Sequence, residues 1–340
     1  MPRPTPRALI DLALVFLAAA VRLGHLTWRS LDGDEGASLF FSSWPWERLL
    51  GRFIDLSVER HPMLYYLLLK GWCLAAGDAD LALRLPSALA GVLTVVILSR
   101  LARLKLGWPA GALTALLAGL SPLLIYQSQD TRMYAAGLLF SATAAWTLLT
   151  ALGRPPERAW APLAVFVVAA PLAGYSHLSA GLFLPAYGLM ALLELRRTGR
   201  VHWPALAALA LAGLLYLPYP WLIYRGGAGG AASFTVEQWW TTAQSAAVTL
   251  LAPGVPAAAS EIGRWVLTGA AGLLILAGAW RAGRAGGPAL GAWFLVGFGL
   301  NAYTLLRIAF FQAKTLSFAA LPFWVLAAAA GLGRARRPAW

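Results

Sequence analysis

PMLYYLLLKGWCLAAG (residues 62–77) decides the topology of this chain. The stretch is almost wholly apolar, with one Lys70, and reads either as a membrane span or as a helix lying on a membrane surface. Counted as a span, it inverts every later loop. The clusters Arg100/Arg103/Lys105, Arg196/Arg197/Arg200 and Arg334/Arg336/Arg337 then face outside, against the accumulation of Lys and Arg in cytoplasmic loops. Laid in the outer interface, it leaves every cluster inside. The inner loops and termini then carry 15 of the 27 Lys and Arg against three acids, Asp11, Glu157 and Glu194. The outer side carries the other 12 with 11 acids. The segment is therefore read as interfacial, opened by Pro62, with Tyr65, Tyr66 and Trp72 at the headgroup level.

Around this stretch the chain is hydrophobic from end to end. Of 340 residues, 59 % are hydrophobic and 12 % charged, where a soluble domain is about a quarter charged. Apolar runs fall at 8–26, 82–99, 109–126, 133–152, 159–176, 178–194, 203–223, 263–280, 287–306 and 315–332, each near the length a bilayer requires. The expectation is an all-α polytopic integral membrane protein of about ten spans, with both termini cytoplasmic. It forms one transmembrane unit over 1–340, with a first extracytoplasmic loop over 27–81, a second over 224–262 and no soluble C-terminal domain. Interfacial helices are expected in the first loop, one over 45–58 with Trp46, Leu49, Leu50 and Phe53 on one face. The run at 8–26 lacks a small-residue cleavage site and reads as a retained helix. The net charge of +13 is a topology signal, not a nucleic-acid footprint. A lone Cys73 excludes an internal disulfide and a cysteine metal site, and His25, His61, His177 and His202 have no ligand spacing.

Charged residues gather at the outer face. Asp32, Asp34 and Glu35 lie between Gly33 and Gly36 just past the first span. ERHPMLYY (59–66), YQSQDTRMYA (126–135), YSH (175–177) and Arg307 with FQAKTLSF (311–318) complete the set. Charges close to hydrocarbon are costly and mark function, though Asp130 and Arg132 also suit the start of a helix. Arg84 and Arg264 read as headgroup anchors. Sugar transfer from a lipid phosphate needs one carboxylate to take the acceptor proton and a small cationic clamp for the leaving phosphate. Asp34 or Glu35 supplies the first; Arg132 and Lys314, with Arg307, supply the second.

DGDEGAS (32–38), HPMLYYLLLKGW (61–72), ALRLPSALAGVL (82–93) and SPLLIYQSQDTRMYA (121–135) together resemble bacterial membrane glycosyltransferases of the GT-C fold. The likeness is to the group related to protein O-mannosyltransferases and lipid A aminoarabinose transferases, and covers roughly residues 20–180. It implies a polyprenyl-phosphate sugar donor, an extracytoplasmic site in a bacterial cytoplasmic membrane, and inversion at the anomeric carbon. It matches the catalytic acid to Asp34, its neighbour to Glu35, the second-loop pair to Asp130 and Arg132, and the His-Pro motif to His61 and Pro62. Two departures stand out: Lys314-Thr315 where many relatives carry Arg-Tyr, and Met63 where Pro is common.

The expected activity is thus an inverting glycosyltransferase acting on a hydroxyl of a lipid, glycan or protein. Asp34 is the base, Glu35 orients it, Arg132, Lys314 and Arg307 hold the donor phosphate, and Asp130, His61, His177 and Tyr134 serve the acceptor side. No protein metal ligands are assigned, and dependence on a divalent cation stays open. The rival is a lipid or glycan transporter, but transporters place charges at the bilayer midplane, and the span centres here are nearly free of charge.

Overall fold

The computed structural model describes residues 5–51, 61–225, 235–251, 260–307 and 317–332, with backbone alone at 224, 236, 239, 284, 285 and 305–307. No strand occurs among the described residues. Helix α1 (Pro6–Leu23) begins on a proline behind a Thr5 cap. Its C-terminal end leads through His25, at φ 60°, into three short helices, α2 (Gly33–Ser42), α3 (Trp46–Gly51) and α4 (Leu64–Ala76). Then come α5 (Asp80–Leu106), α6 (Trp108–Leu120) and α7 (Pro122–Ser128), the last two bent by 64° where Ser121 meets Pro122. The chain continues through α8 (Tyr134–Leu152), α9 (Trp160–Ser176), α10 (Leu178–Gly181), α11 (Leu184–Thr198), α12 (Trp203–Tyr216) and α13 (Pro218–Arg225). Last come α14 (Val236–Leu251), α15 (Glu261–Arg307) and α16 (Ala320–Gly331).

Helical stretches at Asp80–Leu106, Tyr134–Leu152, Leu178–Thr198, Trp203–Ile223 and Glu261–Gly283 are long and apolar enough to cross a bilayer, and the bent pair α6–α7 makes a sixth. The chain is an integral, multi-pass membrane protein. These five or six are fewer than the ten expected. The first apolar run carries Arg7, Asp11 and Arg22 within α1, and α9 and α16 are shorter. The runs at 263–280 and 287–306 join in α15, whose 47 residues are interrupted by a non-helical Gly283. Helix α4 has 13 residues, about 20 Å at 1.5 Å per residue, short of the roughly 30 Å of hydrocarbon. Gly77, at φ 79°, stops it before α5 begins.

Two details depart from the expected first loop. Tyr65 and Tyr66, expected to face the headgroups, are buried in the protein, 5 % and 0 % exposed. In α3 only Leu49 packs, while Trp46 and Leu50 stay exposed; Phe53 lies outside the described residues.

The interior is built around α5, which touches α1, α6, α7 and α8, and around α8, which lies against α9. Helix α16 is buried along nearly its whole length against α15 and α6. At Gly91 the backbone of α5 meets α7 so closely that an added Cβ would fall 2.0 Å from Ser128 Oγ. Buried Arg22 donates to the carbonyls of Ala18, Ala118 and Gly119 at 3.2, 3.1 and 2.8 Å. It thereby caps the C-terminus of α6, whose last carbonyls lose their helical partners at the bend. At the other end of α5, Arg103 forks onto Asp11 and Lys105 meets buried Glu194 at 2.8 Å, tying α5 to α1 and α11.

Candidate active site

The site grows from a helix start. Asp32 Oδ1 accepts from the Glu35 amide at 2.9 Å, and Glu35 Oε2 accepts from the Asp32 amide at 3.3 Å. This reciprocal capping box starts α2 and fixes the first turn, which holds Asp34 and Glu35. Asp34 is half-buried, whereas Glu35 is wholly buried.

Glu35 is the most heavily engaged acid. Arg84 grips it with Nε at 2.8 Å from Oε1 and Nη2 at 2.7 Å from Oε2, the bidentate geometry of a guanidinium on a carboxylate. The Thr131 amide adds a bond at 3.0 Å, and Arg29 Nη1 stands 3.2 Å away. Burial pushes the Glu35 pKa up, but the Arg84 bond, the Thr131 and Asp32 amides and the Arg29 charge outweigh it, and the net shift is downward. Arg84 spends its remaining N–H groups on the carbonyls of Leu26, Arg29 and Ser30 at 2.6, 3.0 and 3.2 Å. Reading Arg84 as a headgroup anchor is therefore wrong: it is fully buried and pins the α1–α2 linker and α2 to α5.

The turn between α7 and α8 supplies Asp130, Thr131 and Arg132, all buried. Arg132 Nη1 donates to the backbone oxygen of Asp34 at 3.1 Å, to Ser38 Oγ at 3.3 Å and to Tyr66 Oη at 3.5 Å. Its Nε makes no hydrogen bond. Asp130 is 1 % exposed, and its Oδ1 has no hydrogen bond, only Arg29 Nη2 at 3.9 Å. Burial, then the charges of Glu35 and Asp32, push its pKa up to about 7 against the pull of Arg29 and Arg132. Ligand oxygens of Asp32, Glu35 and Asp130 lie within 4.8 Å of one another. The group fits a divalent cation by size and by its hard oxygen donors, but Arg29 stands among the three carboxylates.

A ring cluster lies beside this centre. His177, in extended backbone between α9 and α10, accepts the Ser179 amide on Nδ1 at 3.0 Å. Its ring is 4.9 Å from Tyr134, 5.7 Å from His61 and 5.6 Å from Phe318. The structure thus brings Asp34, Glu35, Asp130 and Arg132 to one place and gathers Tyr134, His61 and His177 next to it. Lys314 lies outside the described residues, as does the side chain of Arg307, the last residue of α15. Sequence reasoning assigned no role to Arg29. It also passed over the Asp32–Glu35 spacing, a legible capping box, and took the lone Arg84 within ALRLPSALAG for a headgroup anchor, although an ionisable group in an apolar run is itself a signal.

Residues 60–224 match the family described as dolichyl-phosphate-mannose-protein mannosyltransferase. Among curated proteins, none matches the chain. Three solved structures share its fold. The protein O-mannosyltransferase Pmt1–Pmt2 complex of S. cerevisiae, bound to the sugar donor, is 18 % identical with a TM-score of 0.52, over 75 % of this chain and 38 % of that one. ArnT from Cupriavidus metallidurans, bound to undecaprenyl phosphate, is 14 % identical with a TM-score of 0.59, over 95 % and 59 %. The Archaeoglobus fulgidus oligosaccharyltransferase, in complex with Zn and sulfate, is 15 % identical with a TM-score of 0.56, over 94 % and 48 %. The chain thus spans between about two fifths and three fifths of the length of these proteins. Residues 60–224 are thus similar to the dolichyl-phosphate-mannose-protein mannosyltransferase family, and the chain shares the fold of these three membrane glycosyltransferases.

Proposed function

We propose that this chain moves a sugar from a polyprenyl phosphate to a hydroxyl group on the outer face of a bacterial cytoplasmic membrane, with Asp34 as the general base. One observation carries the reading: Asp34 is half-buried in the first turn of α2, which the Asp32–Glu35 capping box fixes and Arg132 reaches from the turn ahead of α8. Glu35 is sealed beneath Arg84, Asp32 caps α2 and pairs with Arg29, and Asp130 is buried. Arg132 fixes the backbone of Asp34 directly. The family match and the donor-lipid complexes of ArnT and Pmt1–Pmt2 support the donor class.

In this reading the acceptor oxygen attacks the anomeric carbon as Asp34 takes its proton. The bond from that carbon to the phosphate oxygen breaks, and its electron pair leaves with the lipid phosphate. A single displacement of this kind inverts the centre. Arg132, with Lys314 and Arg307, balances the charge on the departing phosphate. Glu35 positions the turn that carries the base. Tyr134, His61 and His177 form a ring wall for the acceptor or the sugar, with Asp130 behind. The proposal keeps ten spans and cytoplasmic termini, as the charge asymmetry requires.

The test uses full-length protein in nanodiscs with a panel of radiolabelled polyprenyl-phosphate sugars and crude membrane lipid as acceptor. Asp34→Asn is expected to lose transfer by about 10²-fold or more while still binding donor. Full turnover by Asp34→Asn sinks the assignment. Lipid flipping with no turnover of any donor moves the reading to a transporter.

A further inference from the structure

We propose that Arg29 is a built-in cation standing in a carboxylate cradle of metal-binding size, and that removing its charge converts the cradle into a divalent-cation site. The inference is independent of the reaction proposed above, because its test reads metal binding alone.

Ligand oxygens of Asp32, Glu35 and Asp130 lie within 4.8 Å of one another. Two oxygens on one ion can be separated by at most twice the metal–oxygen distance, about 4.6–5.2 Å for Ca²⁺. Arg29 faces one oxygen of each acid: Nη1 is 3.3 Å from Asp32 Oδ2 and 3.2 Å from Glu35 Oε2, and Nη2 is 3.9 Å from Asp130 Oδ1. The occupation is incomplete, which is the second observation. Asp130 is 1 % exposed, yet its Oδ1 makes no hydrogen bond, and neither does Arg29 Nη2 opposite it. A planar guanidinium meets two of the acids and leaves the third short; a small round ion would meet all three. Arg84 cannot yield, since its N–H groups are committed to Glu35 and three backbone carbonyls. Arg29 can: it comes from the α1–α2 linker, and its side chain is 26 % exposed.

The full chain in nanodiscs, without donor, is titrated with Mn²⁺ and followed by electron paramagnetic resonance and by the thermal midpoint. Wild type is expected to bind no stoichiometric Mn²⁺ up to about 1 mM, the weak end of biological divalent sites. Arg29→Met is expected to bind one Mn²⁺ at least about tenfold more tightly, with a midpoint that rises with the ion. Adding Asp130→Asn to that variant should abolish both effects, and Arg29→Lys should behave as wild type. Stoichiometric Mn²⁺ on wild type overturns the proposal. So does an Arg29→Met protein that melts cooperatively but binds no better than wild type. Arg29→Gln runs in parallel: if both neutral variants lose their fold and Mn²⁺ restores neither, the cradle does not accept a metal and the proposal fails.

Discussion

Arg84→Met tests the structural logic of the site most directly. The substitution keeps an unbranched apolar stem and removes the fork that holds Glu35 at 2.8 and 2.7 Å. Glu35 is wholly buried, so its carboxylate cannot recover those bonds from water. Removing one partner of a buried ion pair costs about 3–5 kcal/mol. Arg29 stays 3.2 Å from Oε2 and the Thr131 amide 3.0 Å from Oε1, which sets the expectation near the lower figure, about 3 kcal/mol. At about 2.1 cal/mol/K per residue, a chain of this length unfolds with roughly 0.7 kcal/mol/K of entropy, so the thermal midpoint should fall by about 4 °C. The measurement is tryptophan-monitored unfolding in nanodiscs. Glu35→Gln combined with Arg84→Met removes the stranded charge and should recover at least half of the loss. An Arg84→Met protein melting within about 1 °C of wild type, or a double variant less stable than Arg84→Met alone, refutes the reasoning.

Asp130 should show the opposite pH behaviour to Glu35. Its folded pKa, raised to about 7, means the folded state holds a proton that the unfolded chain has already released, so stability falls as pH rises from about 4 to about 7. Asp130→Asn should flatten that slope and raise the stability at pH 8, by an amount bounded at about 4 kcal/mol; an unchanged slope would refute the assignment. Glu35, with its depressed pKa, contributes stability that is present above the unfolded carboxylate range and lost as the pH falls below it, so Glu35→Gln should weaken acid unfolding. Gly91→Ala places a Cβ 2.0 Å from Ser128 Oγ and 2.6 Å from Ser128 Cβ and should cost about 1–3 kcal/mol; Ser128→Gly in the same chain should restore the midpoint. Arg132→Lys keeps the charge but cannot span Asp34 O, Ser38 Oγ and Tyr66 Oη together. Transfer should fall by up to about 10²-fold through misplacement of Asp34, and rates equal to wild type would remove Arg132 from the positioning of the base.

The helical, membrane-embedded character was legible because it is written in local hydrophobicity, which survives any tertiary context. The interfacial reading of 62–77 came from charge asymmetry, and the stretch forms a helix of 13 residues, α4. Asp34, Glu35, Asp130 and Arg132 stood out one by one as charges near hydrocarbon, but that they meet in one place is seen only in the fold. The inner wiring was not. Arg84 lies 49 residues from Glu35, and an arginine one turn into a span looks the same in sequence whether it snorkels outward or folds inward. Tyr65 and Tyr66 carried the same ambiguity, since an aromatic suits a headgroup layer and a buried core equally. Helix α2 was missed for a different reason: the capping box of Asp32 and Glu35 starts a helix across Gly33 and Gly36, two poor helix formers.

The Glu35–Arg84–Thr131 junction also sets a timetable for assembly. Glu35 emerges from synthesis 49 residues ahead of the arginine that neutralises it and 96 residues ahead of the amide that completes its shell. Until α5 is inserted, that carboxylate must stay in water or at the lipid surface, because it has no partner strong enough to bring it inside. The segment that carries α2 therefore waits in an open form through the making of α4, α5 and α6, and closes only when the turn ahead of α8 arrives. Closure of the Glu35 junction is thus a late event in a chain whose acid was made first, and the interval is where a membrane insertion factor would find that segment still accessible.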